Sequence, residues 1–393
     1  MNENTLRITE PKKIFFLLVL VITFFVNFDS AVVIPIMANY AIQLGASIFL
    51  AGLIVGIYSI VHIPSNIIFG RVVDKLPRKI FLTLGILLDG ISMLLYFIAN
   101  TVSFLFIARI IHALGGGFGG PATMSYIGDS ISKEKSGRGM ALYGISVGFS
   151  MLLGFMVGGF LASFYGYKQV FLTIAIIMLI VTFLSIFIKS SYKPIVKKLK
   201  LKEEFRILRT LLTNKYILLP YLSILALFFN LGIITGTYTV ALKSYNFTDA
   251  QIGMLFALMV LLSLIVHYPA GIISDKLGIK KVILFGLFII SLSFLFFTFS
   301  QINTFPIIGM IFFGLGHGLI FPTTAGSVKK YSTPDIRGIA TGIFYSFTVG
   351  GVALGSPISG FISQYFGFQI ALVLGIIIPS FVLILTFLSK TKF

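Results

Sequence analysis

The stretch Gly70-Arg-Val-Val-Asp74-Lys75-Leu76-Pro77-Arg78-Lys79 returns 201 residues later as Gly271-Ile-Ile-Ser-Asp275-Lys276-Leu277-Gly278. In both places a long apolar run precedes it and another follows. Outward from this pair the correspondence continues at nearly constant offset. Ser47 and Gly52 match Thr248 and Gly253, and Gly115 and Pro121 match Gly316 and Pro322. Gly154, Gly159 and Phe160 match Gly355, Gly360 and Phe361, while Arg138-Gly139 has a partner two residues out of step in Arg337-Gly338. The chain is therefore read as a duplication, its halves sharing a framework of glycines and helix-end charges.

The solvent of those halves follows from composition. Of 393 residues, 57% are hydrophobic and 11% charged, against about 25% charged in a soluble domain. That much apolar surface calls for lipid as solvent. Apolar runs near twenty residues begin at about Ile14, Ile48, Ile80, Val102, Met140 and Gln169, then at Ile217, Ala250, Val282, Thr304, Gly338 and Gln369. Each is long enough to cross a hydrocarbon core of about 30 Å. The fold class expected is an all-α membrane protein of twelve transmembrane helices in two pseudo-symmetric six-helix bundles. Residues 1–188 form one bundle, 189–215 a basic linker with a candidate amphipathic helix near Glu203 to Leu212, and 216–393 the other.

A net charge of +18 would suggest nucleic acid, but the charges lie in short loops between apolar runs. Twenty-seven of the 30 Lys and Arg fall in one alternating set of segments; the opposite set holds Lys168 and Lys243, and Arg109 lies within a span. Such asymmetry places the basic segments, and both termini, in the cytoplasm. The localisation expected is the cytoplasmic membrane. No signal peptide is read at the N-terminus.

With no cysteine, thiol chemistry, disulfides and Cys-based metal sites are excluded. His62, His112, His267 and His317 lie in predicted spans without metal-ligand spacing. There is no nucleophile elbow, zinc motif or phosphate-binding loop, so neither enzyme activity nor a cofactor or metal is expected. A membrane enzyme or a channel is the rival of a different class.

The repeated motif resembles the signature of the major facilitator superfamily between its second and third helices, and the resemblance covers the whole chain. Gly70, Asp74, Lys75, Arg78 and Lys79 stand at the signature's positions; Pro77 replaces a glycine. The second copy keeps Gly271, Asp275 and Gly278 but has Ile279 in the place of Arg78. The resemblance implies alternating access between the bundles, with Gly70, Asp74 and Arg78, and their repeat Gly271 and Asp275, latching the cytoplasmic side when the transporter opens outward. It also implies that spans 1, 4, 7 and 10 line the substrate path. The partners expected are a small-molecule substrate, protons as coupling ion and the lipid bilayer. No nucleic acid is expected, and the protein should be a monomer.

Two acids lie well inside spans, Asp29 and Asp89. A charge at mid-bilayer costs a few kcal/mol, so each needs a partner, water or a neutral form. Asp29 sits about 22 Å along span 1 and Arg109 about 10 Å into the antiparallel span 4, at roughly 1.5 Å per residue. Their depths are similar. Arg109, followed by Gly115-Gly116-Gly117, also matches the family's buried arginine, which in drug-exporting members is linked to proton transfer. The expectation is that Asp29 carries the coupling proton and Arg109 tunes it, since burial favours a neutral acid and a nearby guanidinium the carboxylate. A static helix 1 to helix 4 pair is the bland alternative. Asp89 is expected to be a structural or second proton-accepting carboxyl, paired with His112.

Exporters of the family carry a Gly-Pro signature in helix 5. Here Phe155 stands in the place of that proline, while Gly154, Gly158 and Gly159 offer a small-residue packing face. Asn27, Asn230, Thr235 and Tyr238 are the polar residues expected to face the cavity. One dominant acid and aromatic walls suit a lipophilic, neutral or cationic compound moved outward with proton coupling. A sugar or metabolite transporter of the same fold is the alternative.

Overall fold

The computed structural model describes residues 10–73, 78–130, 136–188, 201–333 and 336–390. In a bilayer every backbone N–H and C=O must be satisfied within the chain, and helices do this segment by segment. The described residues contain twelve helices long and apolar enough to span. In the first half they are α1 (Glu10–Val33) continued by the short α2 (Met37–Gln43), α3 (Ile48–Val73), α4 (Arg78–Ile98), α5 (Val102–Ser130), α6 (Ser136–Tyr165) and α7 (Tyr167–Ser185). The basic segment between the halves contributes α8 (Leu201–Thr213). The second half has α9 (Lys215–Ile233) continued by α10 (Thr239–Ser244), α11 (Asp249–Leu277), α12 (Ile279–Phe297), α13 (Thr304–Tyr331), α14 (Arg337–Phe366) and α15 (Phe368–Leu388).

The repeated residues act where helices start and stop. Ser47 accepts the Leu50 N–H at the head of α3, and Thr248 forms a reciprocal capping box with Gln251 at the head of α11. These satisfy donors that a helix start leaves free. Gly166 and Gly367, 201 residues apart, each break one helix from the next at φ 82° and 87°, a conformation glycine adopts without a Cβ penalty.

Packing carries the same duplication. In the first half α1 packs on α6, α3 on α5, and α4 on both α5 and α7. In the second α9 packs on α14, α11 on α13, and α12 on both α13 and α15. Even an irregularity repeats. The first span breaks at residues 34–36, where Pro35 offers no N–H to the ladder. The seventh passes through a π-helical turn, Ile234–Tyr238, at the matching place. Gly236 stands where Pro35 stands in the first half; a methyl group there would overlap the Ser356 hydroxyl. The glycine lets α14 close onto the π turn.

The halves meet along α3 with α14 and α6 with α11. The close approaches lie at the ends remote from the basic loops. A methyl on Gly52 would run into the Ser356 carbonyl, one on Gly56 into the Pro357 ring, and Gly159 faces Gly253. Hydrogen bonds cross the same seam. Ala250 N–H donates to Ser163 Oγ at 2.8 Å, Asn39 Nδ2 to the Thr239 carbonyl at 3.4 Å, and the Phe49 N–H to Gln364 Oε1 at 3.1 Å. Tyr167 Oη donates to Asp249 Oδ1 at 2.9 Å, and Lys243 holds the other oxygen at 2.9 Å. Toward the basic side, Gly271, Gly326, Gly338 and Gly342 have open space where a Cβ would stand. Among the described residues the close approaches between the bundles gather at the ends remote from the basic loops.

The candidate amphipathic helix of the linker is α8. It lies on the second bundle, against α9 and α14, with Leu211 buried in that bundle's apolar cluster.

Candidate functional site

The first bundle holds a charged and aromatic cluster in its interior, assembled from four helices. Asp29 comes from α1 five residues before the break, Tyr58 and His62 from α3, Asp89 and Tyr96 from α4, and Arg109 and His112 from α5. Arg109 and His112 are three residues apart, hence on one face of α5. Asp29 and His112 are fully buried, and Asp89 and Arg109 are 1% and 4% exposed. Groups this costly to bury require partners, and most are present. His112 Nε2 lies 3.2 Å from Asp29 Oδ2, and the Ser30 N–H donates to Asp29 Oδ1 at 2.5 Å. Arg109 Nη1 lies 3.2 Å from His112 Nδ1 and 3.4 Å from Tyr96 Oη, and Tyr96 Oη lies 3.0 Å from His112 Nδ1. The Arg109 guanidinium carbon sits 4.5 Å from the centre of the Tyr58 ring, a distance suited to cation–π attraction.

The direction of these bonds follows from chemistry. A guanidinium only donates. His112 Nδ1 therefore accepts, the ring is the neutral tautomer protonated on Nε2, and that N–H points at Asp29. The imidazole bridges Arg109⁺ to Asp29⁻ without direct contact between them. Asp29, Asp89 and His112 bring acceptor or donor atoms within 4.8 Å of one another. A metal would need the His112 nitrogen bare and would sit beside a guanidinium, so this order of hydrogen bonds does not suit a metal ion.

Glycine makes the cluster compact. A methyl on Gly115 would overlap the Asp89 carboxyl, and one on Gly116 the Tyr58 hydroxyl. The run Arg109-Ile-Ile-His112-Ala-Leu-Gly115-Gly116 thus reads as a cation, a bridge and two notches on α5.

Comparison with known proteins follows this geometry. The family model of the Major Facilitator Superfamily matches residues 19–242 and 220–392. The chain belongs to the major facilitator superfamily. An uncharacterised transporter of this type from Methanocaldococcus jannaschii is 26% identical over 352 residues, covering 88% of this chain and 90% of that protein. The multidrug resistance protein MdtG of Enterobacter lignolyticus is 26% identical over 374 residues, covering 92% and 88%. Among solved structures, a mutant of the nucleoside transporter NupG aligns at TM-score 0.82 with 14% identity, over 95% of this chain and 99% of that one. A bacterial homologue of the human lysosomal transporter Spinster, in an inward-facing, unoccupied conformation, aligns at 0.81 with 13% identity, over 96% of each. The structures share the fold.

The residues singled out from the sequence fall into four groups. Asp29, Asp89, Arg109 and His112 are brought together, with one change of partner. His112 bonds Asp29, whereas Asp89 lies alongside with its Oδ1 unpartnered. Gly154 and Gly158 seat against Ala31 and Val32 of α1, and Gly159 against the head of α11, so the small-residue face of α6 packs two neighbours.

Two of the four expected cavity residues bond to neighbouring elements, and two bond to their own helix. Asn230 is buried and donates to the Gly375 carbonyl of α15 at 2.8 Å. Tyr238 is buried against Phe297 and bonds Ser300 at 2.6 Å. Thr235 bonds its own helix at Leu231. Asn230 and Tyr238 thus find their polar partners across a packing contact, as polar side chains in membrane bundles do. Asn27 is half-buried and also bonds its own helix, at Thr23. In the gating motif, Asp74 and the side chains of Gly70 and Arg78 lie outside the described residues. Among the described residues Gly271 and Asp275 grip no partner. Asp275 is exposed and lines a cleft of about 350 Å³ between α11 and α13 with Ser274, Thr323, Ser327 and Lys330.

The sequence reading passed over Tyr58, Tyr96 and Ser30, and the Tyr167–Asp249–Lys243 contact at the seam. An aromatic residue in a chain with 42 Phe and 16 Tyr carries no signal of its own. Only its place beside a guanidinium or a carboxylate distinguishes it.

Proposed function

We propose that this transporter exports a small lipophilic, neutral or cationic molecule by alternating access, driven by proton entry. The moving units are residues 1–188 and 216–393. The basic loops and both termini lie in the cytoplasm of a cell whose cytoplasmic membrane holds the protein as a monomer. The observation that carries the reading is the buried Asp29–His112–Arg109 chain with Asp89 beside it. It is a nearly charge-balanced cluster in the interior of one bundle, where a proton gained or lost changes the balance. Holding an uncompensated charge in lipid-like surroundings is costly enough to bias one arrangement of the bundles over the other. The seam closed at the weakly charged ends then corresponds to an inward-open state. In it the second copy of the latch, Gly271 and Asp275, is disengaged, as the exposed Asp275 suggests; Gly70, Asp74 and Arg78 are expected to latch with it when the transporter opens outward. The likeness to a multidrug resistance protein supports export, and a sugar or metabolite cargo is the alternative.

The test is transport of tetraphenylphosphonium, ethidium and a sugar and nucleoside panel in inside-out vesicles with an imposed pH gradient. Saturable uptake of at least one compound that collapses when the gradient is dissipated is expected. Transport that ignores the gradient, in native protein and in Asp29→Asn alike, refutes proton coupling. Saturation distinguishes a carrier from a channel.

A further inference from the structure

We propose that Asp89 is the carboxyl that takes up and releases the transported proton, while Asp29 stays ionised as the fixed counter-charge of Arg109. The assignment rests on the proton-coupled reading above and departs from the expectation that the acid of the first span does this work.

The two carboxyls differ in their partners. Asp29 faces donors on both oxygens, the Ser30 N–H on Oδ1 and the His112 Nε2–H on Oδ2. Both donors favour the ionised carboxylate over the neutral acid, so a proton arriving there would bind against them. Through His112 the positive charge of Arg109 is relayed to it, so the ionised form is the one this geometry serves. Asp89 Oδ1 is sealed from solvent and has no hydrogen-bond partner. An ionised carboxylate in that position would be a buried charge without compensation. The arrangement shown is therefore that of a neutral, protonated Asp89.

Charge counting agrees. Arg109⁺ and Asp29⁻ cancel, and His112 is neutral by its hydrogen bonds. Asp89 is the remaining acid of the cluster, so its protonation alone decides whether the bundle interior is neutral or negative. The groups facing it are Asp29 from α1, Tyr58 from α3, Tyr96 from its own helix and His112 from α5, with Arg109 and His62 beyond His112. The other helix packed against α4, α7, has its titratable residues, Tyr167 and Lys168, in its first turn at the far end. Space for the carboxyl is provided by Gly115, where a methyl group would overlap it. Uptake adds one proton from water to an Asp89 carboxylate oxygen, and release returns it to water in the opened cleft; no other bond changes.

The experiment needs no knowledge of the cargo. Infrared spectra of the full chain in lipid nanodiscs are recorded across pH, reading the carbonyl stretch of protonated carboxylic acid. Native protein should show an acid band near neutral pH that is lost as pH rises. The band should persist in Asp29→Asn, though titrating at a different pH, be absent from Asp89→Asn, and reappear at a shifted frequency in Asp89→Glu. That last variant also serves if Asp89→Asn does not fold. A purely structural Asp89 would leave the band unmoved. A titrating band that survives in Asp89→Asn and vanishes in Asp29→Asn overturns the assignment and leaves proton coupling standing. A native protein with no titrating acid band sinks the coupling itself, and the assignment with it.

Discussion

Replacing Tyr167 with Phe should loosen the seam at the weakly charged ends of the bundles. Tyr167 opens α7 in the first half and donates to Asp249 at the head of α11 in the second, at 2.9 Å. This bond must break when that end opens. The Lys243–Asp249 pair joins two residues of the same half, survives opening and does not count. A hydrogen bond to a charged group contributes about 1.5–3 kcal/mol, and each 1.4 kcal/mol is a factor of about ten. The ratio of outward-open to outward-closed protein should therefore rise about 10- to 150-fold. The Ser163–Ala250 and Asn39–Thr239 bonds and the Gly159–Gly253 approach remain, so the closed state is weakened and not abolished. The chain has no cysteine, which permits single-cysteine labelling without background. Thr239→Cys puts a thiol at a fully buried position of the seam, on the residue whose carbonyl Asn39 holds. Its reaction with an impermeant thiol reagent applied from outside the cell should quicken at least tenfold in the Tyr167→Phe background. A rate changed by less than twofold would refute the claim that this bond holds the end shut. Faster labelling from the cytoplasmic side alone would reverse the orientation.

Three further outcomes are expected. Gly355→Ala puts a methyl group onto the Phe229 carbonyl; overpacking costs about 1–3 kcal/mol, so the detergent-solubilised variant should melt earlier, whereas Gly342→Ala, with open space at its Cβ, should melt as native protein does. Arg109→Lys keeps the charge but cannot both donate to His112 and lie over Tyr58 with a planar face, so gradient-driven transport should fall at least tenfold in protein that still folds. Leu211→Lys removes the buried anchor of α8 from the second bundle; large losses of buried apolar contact cost about 2–5 kcal/mol, and limited proteolysis should cut near α8 faster than in native protein.

The membrane class, the count and places of the spans and the duplication were determined by the sequence alone. Span length and apolar content are set by bilayer thickness, which acts on each segment separately, and a repeat is visible as identical residues at a constant offset. Asp29, Asp89, Arg109 and His112 could be singled out for a similar reason, because a charge in a lipid-length apolar run is conspicuous wherever it falls. Their order of bonding could not. His112 lies three residues from Arg109 but 83 from Asp29, and only the packing of α1 against α5 shows that the imidazole stands between them and leaves Asp89 free. That Asn230 and Tyr238 bond to neighbouring helices was hidden on the same ground. A helix has several faces, and whether a polar side chain points to a neighbour or to the path depends on rotations fixed by contacts such as Gly375 and Ser300. The seam, too, is a property of the tertiary structure, since Tyr167 and Asp249 are ordinary residues at helix starts until two bundles bring them within hydrogen-bonding distance.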